Sequence, residues 1–176
     1  MANSDQETDI LERLNDAQTV RGFFIAAIAV FDESVEGLLQ RIFRKDDFVV
    51  KSVVEPLLSQ SGPLGEITVR LKLLLGLGVV ADAVYHDIDA MMKLRDFLNR
   101  DGNEYRFTDP AILDVIKELH AVKSMGIVQL DVMPPDDDTD MAFYQMQLAR
   151  QEQVIKSTMA LAVAGICNEL GKDSPF

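Results

Sequence analysis

Between positions 19 and 43 apolar residues recur at steps of three and four: Val20, Phe24, Ala27, Ile28, Phe31, Val35, Leu38, Leu39 and Ile42, with Phe23 and Phe43 beside them. This spacing predicts a long amphipathic helix from about Thr19 to Phe43, whose polar face carries Arg21, Asp32, Glu33, Glu36 and Gln40. Near the end of the chain Tyr144, Leu148, Ile155, Met159, Ala162, Ile166 and Leu170 keep the same period. They predict a helix of some 30 residues, about 45 Å at helical rise. Both exceed the usual helix of about 11 to 12 residues, which suggests an elongated bundle or a surface used for association. No run alternates as a strand does, and no internal repeat is visible. The expected fold is all-α, a single-domain helical bundle with long second and C-terminal helices, in which residues 1–9 and 172–176 are flexible.

Between these two segments the chain is punctuated by turn and capping residues. After the charged break FRKDD, Asp46 or Asp47 is placed to cap a helix through about Leu58, although Pro56 complicates it and FVVKSVV also reads as strand. SQSGPLG is the strongest loop signal. Ile67, Leu71, Leu74, Leu75 and Gly78 then keep helical steps. So do Val84, Tyr85, Ile88, Met91, Met92, Arg95 and Leu98, with Asp82 as N-cap. Asp109-Pro110 reads as a cap followed by proline at the first helical position, opening a helix to about Leu119.

At 176 residues the chain suits one domain. Its formal net charge of −12 repels polyanions and forfeits the counterion release that drives most DNA binding. The lone Cys167 sits in an Ala-rich apolar segment, which favours a buried thiol over a nucleophile and fits a reducing compartment. MANSDQETDILERLN lacks the basic and apolar regions of a secretory signal, and no uninterrupted apolar run reaches the roughly 20 residues of a membrane span. A cytoplasmic protein without membrane contact is expected.

Several motifs invite chemistry. KLLLGLGVVAD contains G-x-G-x-x-A, the spacing of a dinucleotide cradle, but leucine dominates the preceding run where β-branched strand residues are expected, and RDFLNR ahead of Asp101 is helical. A helix ending at Gly76 or Gly78, one of them left-handed, explains it better, so no cofactor is expected. DDDTD places Asp136, Asp138 and Asp140 like calcium-loop ligands, yet Met141 stands where glycine is needed and Gln147 where a bidentate glutamate is needed. A solvated acidic loop at the start of the last helix is preferred. In YHDID, His86 and Asp89 share a helical face while Asp87 points elsewhere, and His120 is distant in sequence. No metal site and no catalytic set follow from these residues.

Arg41, Arg44, Lys45, Lys51, Arg70 and Lys72 form the main basic group. Asp46, Asp47, Glu55 and Glu66 leave about two net positive charges there. As a helix-turn-helix the segment fails: its linker is longer than the usual 3 to 4 residues, and its second helix lacks base-reading Asn, Gln and Arg side chains. NRDGNEYRFTDP is turn-rich and polar, suited to a recognition loop. The candidate interaction surface is therefore Arg44, Lys45, Asp46, Asp47, Arg70, Lys72, Asn99, Asp101, Asn103 and Glu104.

FRKDDFVVKSVVEPLL, SGPLGEITVRLKLLLGLGVV and LRDFLNRDGNEYRFTDPAIL closely resemble the bacterial mannitol operon repressor family, over about residues 10 to 120, and the long terminal helix agrees in character. The resemblance implies a helical regulator that lowers expression of mannitol uptake and catabolism genes, without a recognised DNA-binding domain and without shared catalytic residues. The expected partner is another regulatory or DNA-binding protein, and a homo-oligomer is compatible. Two alternatives stand beside this reading: a dimer that binds its operator directly through Arg44, Lys45, Arg70 and Lys72, and a degenerate helical nuclease. LRDFLNR resembles the R-x4-6-H signature of HEPN-type nucleases in Arg95, but position 100 is arginine and no histidine follows in range.

Overall fold

A computed structural model describes residues 2–43, 47–126, 130 and 133–172. Among these are eight helices and no strand: α1 (Ala2–Asn15), α2 (Val20–Ile42), α3 (Phe48–Leu58), α4 (Ile67–Gly76), α5 (Asp82–Arg100), α6 (Pro110–Glu118), α7 (His120–Lys123) and α8 (Met141–Gly171). The all-α expectation holds, and both long helices lie where the periodicity puts them.

The capping residues explain most boundaries. Thr19 stays extended and its hydroxyl accepts from the Gly22 amide at 3.0 Å, which starts α2. Asp47 does the same for α3, accepting from Val49 and Val50, so FVVKSVV is helix despite its β-branched residues. At the end of α4 the chain turns through Gly78 at φ 71°. The Val79 amide reaches Leu74 O and the Gly78 amide reaches Leu75 O, each at 3.0 Å. That pair of bonds is a Schellman stop and accounts for the second glycine of KLLLGLG. Asp82, expected as a cap, is instead the first residue of α5: extended Ala81 is the cap, and the Asp82 carboxylate lies in the first turn, where the helix dipole favours it. Pro110 opens α6 after Asp109, as expected.

Helix α2 lies at the centre. It packs against α1, α4, α5 and α8, and its buried residues (Phe23, Phe24, Phe31 and Leu39 among them) cover more than one face. Phe107, from the segment after α5, meets Phe23 edge-on with ring centroids 5.3 Å apart, and Leu74, Ile88, Met91, Ile112, Ile155 and Met159 fill out the same core. Polar ties fix the neighbours. The Arg13 guanidinium of α1 is bidentate to Glu33, at 2.8 and 2.9 Å. Lys156 of α8 donates to the carbonyls of Asn15 and Ala17, closing the end of α1. Among the described residues, α8 alone is a helix long and apolar enough to cross a membrane, but 56% of its most apolar window is buried in the bundle, as in the core helix of a packed protein.

Two elements leave the core uncovered. Helix α3 contains no buried residue, and α8 contains none before Ile155, so its first 14 residues, about 21 Å of helix, run along or past the bundle edge.

The SQSGPLG loop folds back on α3 through the Leu64 amide to Leu57 O at 2.8 Å. A Cβ on Gly62 would stand 2.2 Å from Pro56 O and 2.5 Å from Leu57 O, so only glycine passes there. Gly62→Ala is expected to lower stability by more than about 1 kcal/mol. Gly76→Ala, whose Cβ meets nothing within 4 Å, should be neutral or stabilising. Urea unfolding midpoints of the two variants check the contrast.

Candidate protein-interaction surface

The ten residues expected to form one surface divide into separate groups. Arg44, Lys45 and Asp46 lie outside the described residues. Asp47 is exposed and caps α3, and Lys72 is exposed on α4. Arg70 is a correction: it is 5% exposed, too deep to meet a partner. Its Nε donates to Leu64 O at 2.6 Å, one terminal nitrogen to Leu58 O at 2.9 Å and the other to Asp32 at 3.3 Å. Its task is to tie α4 to the end of α3, the following loop and α2. A charge read from sequence does not reveal that its carrier is turned inward.

The second group is held together by an arginine the sequence reading left on a polar face. Arg21 donates to Leu98 O and Asp101 O, both at 2.9 Å, to Asn103 O at 3.1 Å, and to Glu104 at 2.8 Å. The segment after α5 therefore wraps one guanidinium, and the bonds to three carbonyls fix its backbone. Asp101 accepts from the amide of Asn103 at 3.2 Å, from its side chain at 2.8 Å, and from the Tyr105 hydroxyl. Asp101, Asn103 and Glu104 thus sit together in a preformed polar loop, and Asn99 is exposed in the last turn of α5 just before it. Arg21 and the Asp32 that meets Arg70 are eleven residues apart on α2, so this loop and the α3–α4 junction are separated by about 16 Å along that helix.

What the sequence did not reveal is that α8 reaches this loop through a largely polar recess and exposes apolar side chains nearer its N-terminus. A recess of about 320 Å³ is lined from one side by Gln18, Glu104, Tyr105 and Arg106, and from the other by Ala149, Glu152 and Gln153 of α8. Towards its N-terminus α8 exposes Met141, Phe143 and Met146, and Met133 is exposed ahead of it. Residues 141–149 carry no charge at all. The periodic stripe predicts that Tyr144 and Leu148 pack inward, and both are only half-buried. The signal that marks this surface is the string MAFYQM, whose apolar residues exceed what a single stripe can bury.

The remaining motifs are structural. KLLLG is helix, not strand, and cannot present a strand-to-helix turn to a pyrophosphate. Asp87 is 3% exposed and accepts from the His120 and Ala121 amides, each at 2.8 Å, and from His120 Nδ1 at 3.0 Å, so it caps α7 from across the bundle. His86 and His120, far apart in sequence, line one open recess with Asp114 and Glu118. Among the described residues no three His, Cys, Asp or Glu side chains are placed to hold a metal ion. Asp136 accepts from the Thr139 hydroxyl, and Asp140 caps α8. Arg95 lies against its neighbour Asp96 at 2.8 Å. Burial pushes the Cys167 thiol up to about 11, which leaves it unreactive at neutral pH.

The family model described as mannitol repressor matches residues 6–171. The chain belongs to the mannitol repressor family. It is 44% identical over 170 residues to the mannitol operon repressor of Escherichia coli strain K12, covering 97% of this chain and 85% of that protein. The MtlR-HPr complex from Escherichia coli superposes with a TM-score of 0.87 at 43% identity, over 96% of this chain and 99% of that one. A possible transcriptional regulator, YggD of Shigella flexneri, superposes at 0.75 with 26% identity, covering 93% and 96%. Fumarase E of Shigella flexneri is a further relative, 28% identical over 165 residues, 93% of this chain and 96% of that protein. The proteins this chain is similar to are therefore named both as regulators and as fumarase E.

The polar loop makes a pH prediction. Donation from Tyr105, then from the Asn103 amide, holds the Asp101 carboxyl below its ordinary value. A lowered value means that the loop's contribution is fully present above about pH 3.9 and is lost as pH falls through the folded-state value. An NMR titration of the Asp101 carboxyl carbon should have its midpoint below that ordinary value, and Tyr105→Phe should move it back up.

Proposed function

We propose that this chain lowers expression of mannitol uptake and catabolism genes in the cytoplasm, and that it acts by contacting other proteins rather than by reading DNA. One observation carries the reading: a relative 43% identical over nearly the whole chain, with a TM-score of 0.87, was solved in complex with HPr. The charge supports it. A chain of net charge −12, with Arg70 buried and Arg21 spent on carbonyls, has few cations to offer phosphates. The partner surface is residues 141–149 of α8, which carry no charge, together with the polar residues Asn99, Asp101, Asn103 and Glu104 at the end of α5. An apolar patch rimmed by fixed hydrogen-bonding groups is the usual anatomy of a protein contact.

Titration calorimetry with purified HPr tests this. Phe143→Asp or Met146→Asp should weaken binding by at least about tenfold, since each places a charge in an apolar contact. Lys72→Glu, at the far junction, should leave it unchanged. Unimpaired binding by both α8 variants removes this surface. A steeply salt-dependent shift of a mannitol operator fragment by the protein alone removes the indirect mechanism.

The fumarase E relatives favour a second reading, hydration of a dicarboxylate, and we read the chain as non-enzymatic. A dianion needs convergent cations in an open cleft. Here Arg70 is buried and donates to two backbone carbonyls, while Arg21 donates to three and Lys156 to two. The recess holding both histidines is lined by Asp87, Asp114 and Glu118, which repel such a substrate. An ultraviolet assay of fumarate hydration should show no turnover above buffer; turnover would restore the enzyme reading.

A further inference from the structure

We propose that the recess between α8 and the loop after α5 binds a small, neutral polyol. Its volume of about 320 Å³ lies at the low end for small-molecule sites, which run from about 300 to 1,000 Å³. Three parts of the chain wall it: the α1–α2 turn, the loop after α5, and α8. The walls are fixed. Glu104 spends one oxygen on Arg21 at 2.8 Å, and Lys156 spends two donors on Asn15 O and Ala17 O, at 2.9 and 2.7 Å. Hydrogen-bonding capacity is left over at the recess. The second Glu104 oxygen and the third Lys156 donor are unspent. Gln18 donates to Asp16 O and Gln153 to Ser157, so both amide oxygens are unspent. Among the described residues the carboxylate of Glu152 makes no ion pair or hydrogen bond, although Glu152 is half-buried, and the exposed Arg106 guanidinium makes no ion pair.

The lining selects the ligand. Its charged residues are Glu104 and Glu152 against Arg106 and Lys156, so the recess is neutral in a molecule of net charge −12. A phosphate would meet two carboxylates as well as two cations, and an amine the reverse. Donors and acceptors are interleaved instead, which suits hydroxyl groups, since each donates one hydrogen bond and accepts others while rotating to fit. An aromatic ligand finds no ring to stack on. The Tyr105 ring already lies against Phe97 at 5.6 Å and its hydroxyl donates to Asp101, while Phe107 meets Phe23. What remains is a compact, uncharged, hydroxyl-rich compound. D-mannitol is the probe. That choice rests on the repressor reading, whereas the preference for a neutral polyol rests on the recess alone.

Titration of the full chain with D-mannitol, followed through backbone amide shifts by NMR, reads the proposal. The expected result is saturable movement of the Gln18, Arg106, Glu152 and Gln153 amides with one common dissociation constant in the millimolar range, because each hydroxyl exchanges bonds to water for bonds to protein at little net gain. Glu152→Ala should weaken binding by at least about fivefold, and Gln153→Ala by at least about twofold, as each loses an acceptor. Their thermal midpoints should match the parent, since Glu152 ties down no neighbour and Gln153 is exposed. Lys72→Glu on α4 should bind as the parent does. Glycerol at equal concentrations should not reproduce the saturable shifts; if it does, a general solvent effect of polyols explains them and the site falls. The phosphate monoester of mannitol should bind more weakly than mannitol, and tighter binding overturns the neutral class. No saturable shift with D-mannitol up to about 0.1 M, or unchanged binding by both α8 variants, likewise overturns the proposal. The HPr calorimetry reads the repressor surface separately: loss of HPr binding with polyol binding intact removes that surface and leaves this site standing.

Discussion

Helix α2 is surrounded, and that constraint organises the rest. A helix with large apolar residues on more than one face is stable only where neighbours cover each of those faces. Helices α1, α4, α5 and α8 supply the cover. Its polar positions are used as anchors at the same time: Arg21 holds the loop after α5, Asp32 meets Arg70 of α4, Glu33 meets Arg13 of α1, and Arg41 donates to Leu170 O at the end of α8. Each anchor lies beside buried apolar contact. Hydrophobic area supplies the driving force, and the charged bonds set the angle and register at which each neighbour docks.

Arg70 shows how such an anchor shapes a surface. A guanidinium with so little exposure is retained only if its donors are matched, and here backbone carbonyls at the end of α3 and in the following loop take two of them. Helix α3 thus gets its C-terminal fixing from α4 and needs little apolar contact with the bundle. That is why its valines can remain outside. At the other end of α2, the Lys156 bonds to Asn15 and Ala17 fix α8 against the α1–α2 turn, so the residues before Ile155 can extend without core contacts. In both places a cation bound to carbonyls frees a helix to present apolar side chains.

The parts of the fold legible in the sequence are those set by neighbours in sequence. The stripes of α2 and α8, the Asp109-Pro110 start, the glycine stop of α4 and the SQSGPLG loop depend on local spacing and local backbone geometry. Helix α1 escaped because few of its residues are apolar, with Ile10 and Leu14 the fully buried ones, and its cover comes from α8 at the far end of the chain. Helix α7 escaped because the carboxylate that caps it, Asp87, lies 33 residues away from His120. The candidate surface was half legible. Turn chemistry marked Asn99 to Glu104 as an exposed polar loop, but nothing local tells that Arg21 organises it, that Arg70 is buried, or that the stripe of α8 outruns the core it packs on. A periodic pattern says which face is apolar, while how far the covering elements reach is a property of the whole bundle.

Charge then decides what kind of contact this molecule can make. With 29 acidic against 17 basic residues, the molecule as a whole repels polyanions. Two apolar stretches that the bundle leaves open have no net charge: residues 141–149, which carry none, and residues 48–58, where one Lys and one Glu cancel. Contacts built there rest on apolar burial, which salt does not screen, and salt instead weakens the background repulsion around them. Association through either stretch therefore holds or strengthens as ionic strength rises, the opposite of the steep loss that phosphate contacts show.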